Sequence, residues 1–144
     1  MALLAPRLSV LTLGVSDLER SVAFYTTLGF TTNRKPDEDV AFFFLQTMVL
    51  SLYPSEALAA DAGVVEAGNG FRRFSIAYNA ESPEAVDRIF AGIEAAGGSI
   101  VKTPQKVFWG GYSGYFADPD GFLWEVAHNP FWTLDDRGVP RPNA

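Results

Sequence analysis

The chain alternates between two hydrophobic periods, and the order of the periods occurs twice. Residues 8–15 (Leu-Ser-Val-Leu-Thr-Leu-Gly-Val) alternate partly, as a half-buried strand does. Ser16-Asp17-Leu18-Glu19 follows as a capping-box signature. Leu18, Val22 and Tyr25, with Ser21 beside them, then share one face of a predicted helix, and Gly29 is placed to end it in the left-handed conformation. Residues 30–33, 40–45 and 48–53 read as three strands, with a polar, turn-rich stretch at 33–39 and Gln46-Thr47 as a hairpin connection.

The second half repeats this order. Residues 71–78 read as a strand, and Ser82-Pro83-Glu84 as a helix start with proline at the first helical position. Val86, Ile89, Phe90 and Ile93 form one apolar face before Gly97-Gly98. Residues 99–102, 112–117 and 122–127 are the next three predicted strands. Gly29 and Gly97 stand 68 positions apart, and the same offset lays Leu18, Val22 and Tyr25 on Val86, Phe90 and Ile93. That agreement favours a structural repeat. The predicted fold class is α+β: one domain over 1–144, built of tandem βαβββ modules at about 8–53 and 71–128. Residues 54–70, rich in Ala, Glu and Gly, read as the linker, and 129–144 as a C-terminal tail. One crossover per module and antiparallel hairpins imply curved, cup-shaped mixed sheets with helices outside.

The sharpest chemical signal lies in the last predicted hairpin. Asp118-Pro119-Asp120-Gly121 is turn chemistry, since Pro119 presets φ and Gly121 tolerates positive φ. Glu125 is the one acid in the apolar run 122–127. It is either a carboxylate on the solvent face of a strand or a charge that needs a partner, a cation or a ligand.

Composition narrows the classes. The 144 residues suffice for one domain with a sizeable core. A net charge of −6 argues against a nucleic-acid partner, which calls for a basic face. The absence of cysteine removes disulfides, thiolate nucleophiles and thiolate metal sites. No apolar run is long enough for a membrane span and no secretory leader is evident, so the expected setting is cytoplasmic, with no membrane partner. Aromatic residues make up 14% of the chain, enough for some to border a ligand. Phosphate loops, dinucleotide fingerprints and nucleophile elbows are missing.

The first predicted helix, Ser-Asp-Leu-Glu-Arg-Ser-x-x-Phe-Tyr-x-x-Leu-Gly-Phe over 16–30, resembles that of the vicinal oxygen chelate superfamily, the glyoxalase, bleomycin-resistance and extradiol-dioxygenase group. Tyr-Phe-x-Asp-Pro-Asp-Gly-x-x-x-Glu over 115–125 resembles the last hairpin of the same family. The resemblance covers about residues 8–130. It implies a cup-shaped site and, in metal-dependent members, up to four inward His, Glu or Gln ligands. Carried over, those positions fall on Val10, Ser51, Ser75 and Glu125. One carboxylate, a valine and two serines are too few strong donors, so no metal and no cofactor is expected. The single histidine, His128, stands three residues past Glu125, where a continuing strand turns it to the other side.

Alternation adds candidate ligand-binding residues. Val10 and Thr12 share a face of the first strand, and Ser51 and Tyr53, with Val49, share one in the first module's last hairpin. Phe42 and Phe44 lie on one face and Phe43 on the other, with the inward face open. Arg73 would share the Ser75 face, as a partner of Glu125, as a site for an anionic group, or as an exposed arginine beside Arg72. Trp109 and Tyr112, in a glycine-rich aromatic stretch, are either a mobile flap over a ligand or packing at a sheet edge. Three functions follow in order. The first is a metal-independent protein binding a small aromatic or cationic molecule in an acidic, aromatic-lined cleft. The second is a lyase, isomerase or dioxygenase with Glu125 as general base or as ligand of a degenerate metal site. The third is a homodimer without chemistry. Homodimerisation is expected in every case, because open sheets leave edges to pair.

Overall fold

A computed structural model describes residues 2–142. The chain divides into two compact units, residues 1–67 and 68–144.

The first unit contains β1 (Val10–Val15), α1 (Leu18–Thr27), β2 (Ala41–Phe44), β3 (Val49–Pro54) and α2 (Ser55–Ala62). Its sheet order is β1-β3-β2, with β1 parallel and β2 antiparallel to β3. The Asp17 carboxylate caps α1 by accepting the Arg20 N–H at 3.1 Å. Gly29, at φ 111°, follows the helix in the conformation the sequence predicts for it. Phe24 and Tyr25 are fully buried, and Tyr25 packs on Phe43 at 6.2 Å and on Phe30 at 6.1 Å. With Leu13, Val15, Leu50 and Leu52 they make the core. Each such side chain stabilises the fold by about 2 kcal/mol.

Two expectations fail here. Residues 30–33 form no strand; only Thr32 bridges, to Phe43. The turn-rich stretch beyond is instead organised by Arg34. Its guanidinium donates to the Glu38 carbonyl and meets Glu19 at 2.7 Å, which ties the stretch to α1. The expected linker begins as α2, which ends at Gly63 in the left-handed conformation. The alanine-rich sequence of 55–62 has the helix propensity to form it.

The second unit contains β4 (Ile76–Asn79), α3 (Pro83–Ala96), β5 (Ser99–Lys106), β6 (Tyr112–Ala117), β7 (Leu123–His128), β8 (Trp132–Leu134) and β9 (Pro140–Pro142). The main sheet runs β4-β7-β6-β5, with β4 parallel to β7. This is the first unit's order again, with the Thr32 bridge in the place of β5. The fold class is therefore mixed α+β with a repeated sheet order. Ser82 caps α3 and Gly97 ends it in the left-handed conformation. The two N-caps, Asp17 and Ser82, are 65 positions apart while the glycines are 68 apart, so α3 is longer at its start. Its face of Val86, Phe90 and Ile93 covers one side of the sheet, where Phe90 meets Phe116 edge-on and Phe116 stacks on Trp124.

The strand expected over 71–78 is confined to β4. Arg73 adopts φ 63°, which a strand does not accommodate, and residues 71–75 are exposed. The expected tail carries the β8–β9 hairpin; its last two residues, Asn143 and Ala144, lie outside the described residues. Two turns in this unit share one design. Asp118 accepts the N–H groups of Asp120 and Phe122, and Asp135 those of Arg137 and Val139, all at 2.9 Å, with Gly121 and Gly138 at positive φ. Aspartate at the first position and glycine at the fourth set both hairpins.

Candidate functional site

The turn at Asp118 fixes the register of β6 on β7. Asp118 and Phe122 close it through an N–H···O bond of 2.9 Å, and the ladder beyond pairs Ala117 with Leu123 and Tyr115 with Glu125. Directly opposed residues share a face. Phe116, Trp124 and Val126 take the α3 side, so Tyr115 and Glu125 take the other. Ala77 on β4 lies opposite Glu125 as well, and Ser113 opposite Ala127. Glu125 and Tyr115 are both half-buried.

The fourth strand brings a charge to this face by an irregularity. Ile100 opposes Phe116, so an unbroken ladder would set Val101 opposite Tyr115. A bulge intervenes, and Lys102 stands there instead. A second irregularity sets Gln105 rather than Pro104 opposite Ser113. Gly114 permits this, because a Cβ on it would lie 2.6 Å from the Lys102 carbonyl oxygen and 2.8 Å from the Pro104 nitrogen. One row therefore crosses all four strands: Ala77, Glu125, Tyr115, Lys102. Desolvation, and after it the negative charge of Glu125, hold the Tyr115 phenol above its ordinary pKa. Tyr115 is thus a hydrogen-bond donor throughout the neutral range, beside an acceptor.

In the first unit, Thr12 on β1 and Phe42 on β2 both oppose Ser51 on β3. Val10, Val49 and Tyr53 share that face, away from α1. Phe42 and Phe44 belong to it too, since Phe43 is buried against Tyr25. At its far end α2 closes on β1: a Cβ on Gly14 would lie 3.2 Å from the Ser55 Cα. Ser51 is buried, and Val10 is half exposed.

The remaining candidates lie elsewhere in the second unit. Tyr112 lies on the α3 side, donating to the Asp87 carboxylate at 2.7 Å, and that bond raises its phenol pKa. It does not share a face with Glu125. The Trp109 ring lies on Gly111, where a Cβ would fall 2.0 Å from it, and Phe131 closes on Gly110. Arg73 is exposed before β4, as is Ser75. The neighbouring Arg72 makes the long-range contacts, donating to the Asp120 carbonyl and covering the Phe122 ring at 4.7 Å. His128 faces the α3 side, its Nδ1 3.1 Å from the Ala80 carbonyl.

The donor set does not fit a divalent ion. Of the four positions the resemblance points to, only Glu125 carries a strong ligand, and among the described residues no group of three or more His, Asp or Glu converges.

The sequence singles out Glu125 but neither of its neighbours in the row, Tyr115 and Lys102. Tyr115 was within reach, because counting outward from the Asp118 turn sets it opposite Glu125. Lys102 was not, since a bulge breaks the alternation that such counting needs.

A model of the Glyoxalase/Bleomycin resistance protein/Dioxygenase superfamily matches residues 7–126. A lactoylglutathione lyase of Arabidopsis thaliana is 28% identical over 123 residues, 78% of this chain; the chain spans 40% of that relative's length. Among solved structures, a glyoxalase-related enzyme from Fulvimarina pelagi is 31% identical with a TM-score of 0.85, over 97% of this chain and all of that one. A glyoxalase/bleomycin resistance protein/dioxygenase from Nocardioides is 26% identical with a TM-score of 0.74, over 99% of this chain and 93% of that one. Among the described residues no helix is long and apolar enough to cross a membrane.

Proposed function

The chain belongs to the Glyoxalase/Bleomycin resistance protein/Dioxygenase superfamily, and from that premise we propose that it binds a small organic molecule at Glu125 without a metal. The observation that carries this reading is the half-buried Glu125 on the sheet face away from α3, in register with Tyr115. A carboxylate so placed, without the companion ligands of a metal site, is an acceptor for a cationic or N–H-bearing group. Val10, Thr12, Ser51 and Tyr53, which share one face of the first unit's sheet, are proposed separately as uncharged ligand-binding residues. The protein is proposed to act as a homodimer, since each unit's sheet ends in edge strands.

The test is titration of the purified protein with small organic amines, followed by calorimetry, for wild type and Glu125→Gln. Amine binding that the variant loses supports the reading; equal binding by both overturns it. Elemental analysis after purification without chelator is the second arm. About one zinc, iron, nickel or manganese ion per chain would overturn the metal-free part.

The Tyr115 phenol opposite Glu125 favours a second reading, a metal-free lyase or isomerase. Glu125 would take a proton from carbon, and the protonated Tyr115 would donate to the oxygen that gains charge.

A further inference from the structure

Glu125 is one of two charged residues in the row that crosses the second unit's sheet. The other is Lys102. Two inter-strand spacings separate Lys102 from Glu125, about 10 Å along the row. Tyr115 stands midway. Acid, phenol and ammonium on one face form a linear pattern of acceptor, donor and cation. This order depends on the bulge in β5. Without it Val101, an apolar side chain, would oppose Tyr115, and the row would carry charge at one end only. Gly114, having no Cβ, leaves room for the bulged backbone. A bulge that re-aims one side chain is a common device beside binding sites.

We propose that this row binds a zwitterionic organic molecule, with its anionic group on Lys102, an oxygen or aromatic body over Tyr115, and its ammonium on Glu125. The proposal rests on the Glu125 reading and extends it from a cation to a molecule carrying both charges. Charge complementarity at both ends selects against ligands that carry one. A plain amine leaves Lys102 without a counter-charge, and a plain carboxylate brings its charge towards Glu125. Rigid ligands gain most, because they lose little freedom on binding.

Three rigid probes separate the terms: para-(aminomethyl)benzoate, benzylammonium and benzoate, titrated at low ionic strength and followed by calorimetry or amide NMR shifts. The zwitterion is expected to bind about tenfold more tightly than either single-charge probe, the gain of one charge-assisted contact. Lys102→Met should bring the zwitterion down to the affinity of benzylammonium and leave benzylammonium unchanged, while Lys102→Arg should keep the preference. Tyr115→Phe should weaken the zwitterion about threefold or more, a lost hydrogen bond. Glu125→Gln should weaken the zwitterion and benzylammonium together. If Lys102→Met leaves the preference intact, or if the wild type shows none, the proposal fails. The Glu125 reading survives that failure where Glu125→Gln still abolishes amine binding. If no variant changes any affinity, both fall.

Discussion

Tyr115 faces Glu125 directly across the β6–β7 ladder, and the pair lies on the side of the sheet that α3 does not cover. Desolvation and the Glu125 charge both favour the protonated phenol.

The first expected outcome is therefore a late phenolate. In an absorbance titration, Tyr115, identified by difference from Tyr115→Phe, should ionise above the ordinary tyrosine pKa of about 10. Glu125→Gln should bring that ionisation part of the way back. Since the folded pKa is raised, the protonated phenol's contribution to stability is complete below the unfolded value. It is lost as pH rises through the folded one. An ionisation at or below the ordinary value would refute the pairing's electrostatic effect.

Glu125 should matter for binding and little for folding. Glu125→Gln removes a half-buried charge while keeping the shape, so the melting temperature should hold or rise. A mutant that melts far lower, yet binds amines as well as wild type, would make Glu125 structural.

Gly114 should resist any side chain. A Cβ there would meet the backbone of β5 at 2.6 and 2.8 Å and the Phe90 ring at 2.9 Å. Gly114→Ala should cost about 1–3 kcal/mol, read as a lower urea midpoint at unchanged slope. Because β5 would be pushed outward, the Lys102-dependent preference for a zwitterion should weaken too. A neutral effect on stability would mean that β5 moves aside freely.

The β8–β9 hairpin should open in acid before the rest of the chain. Hydrogen bonds from the Val139 and Arg137 N–H groups, with Arg141 3.6 Å away, hold the Asp135 carboxyl below its ordinary pKa. Its contribution is present above the unfolded value of about 3.9 and is lost as pH falls through the folded one. Amide exchange at Arg137 and Val139 should speed up in Asp135→Ala while Phe116 and Val126 stay protected. Uniform protection in the variant would show that Asp135 does not hold the turn.

Much of the fold was legible because local chemistry and hydrophobic period agreed. Ser82, Gly29 and Gly97 bound their helices as read and β6 has the predicted limits, while Asp17 takes the cap of α1 that the capping box gave to Ser16. Errors fell where a local signal had two readings. Phe71 to Phe74 are rich in aromatic residues, which suits a strand, yet Arg73 takes a left-handed conformation and Arg72 leaves to cover Phe122. The proposed row was half legible. A lone acid in an apolar run announces itself, whereas a lysine brought in by a bulge does not, because its position depends on how two strands slip past each other.

The repeated sheet order also implies a division of constraint between the halves. The first unit's face away from α1 (Val10, Thr12, Phe42, Phe44, Val49, Ser51, Tyr53) bears no charge, while the second unit's face away from α3 bears an acid and a base on either side of Tyr115 in one row. Duplicated architecture lets one copy be governed by volume and the other by ionisation. In the first, a change of side-chain size should be felt and a change among uncharged groups of like size forgiven. In the second, near-isosteres such as Glu for Gln should be the costly exchanges for function, although they barely disturb packing. A duplicated module can thus specialise without a new fold, by letting only one of its copies carry charge.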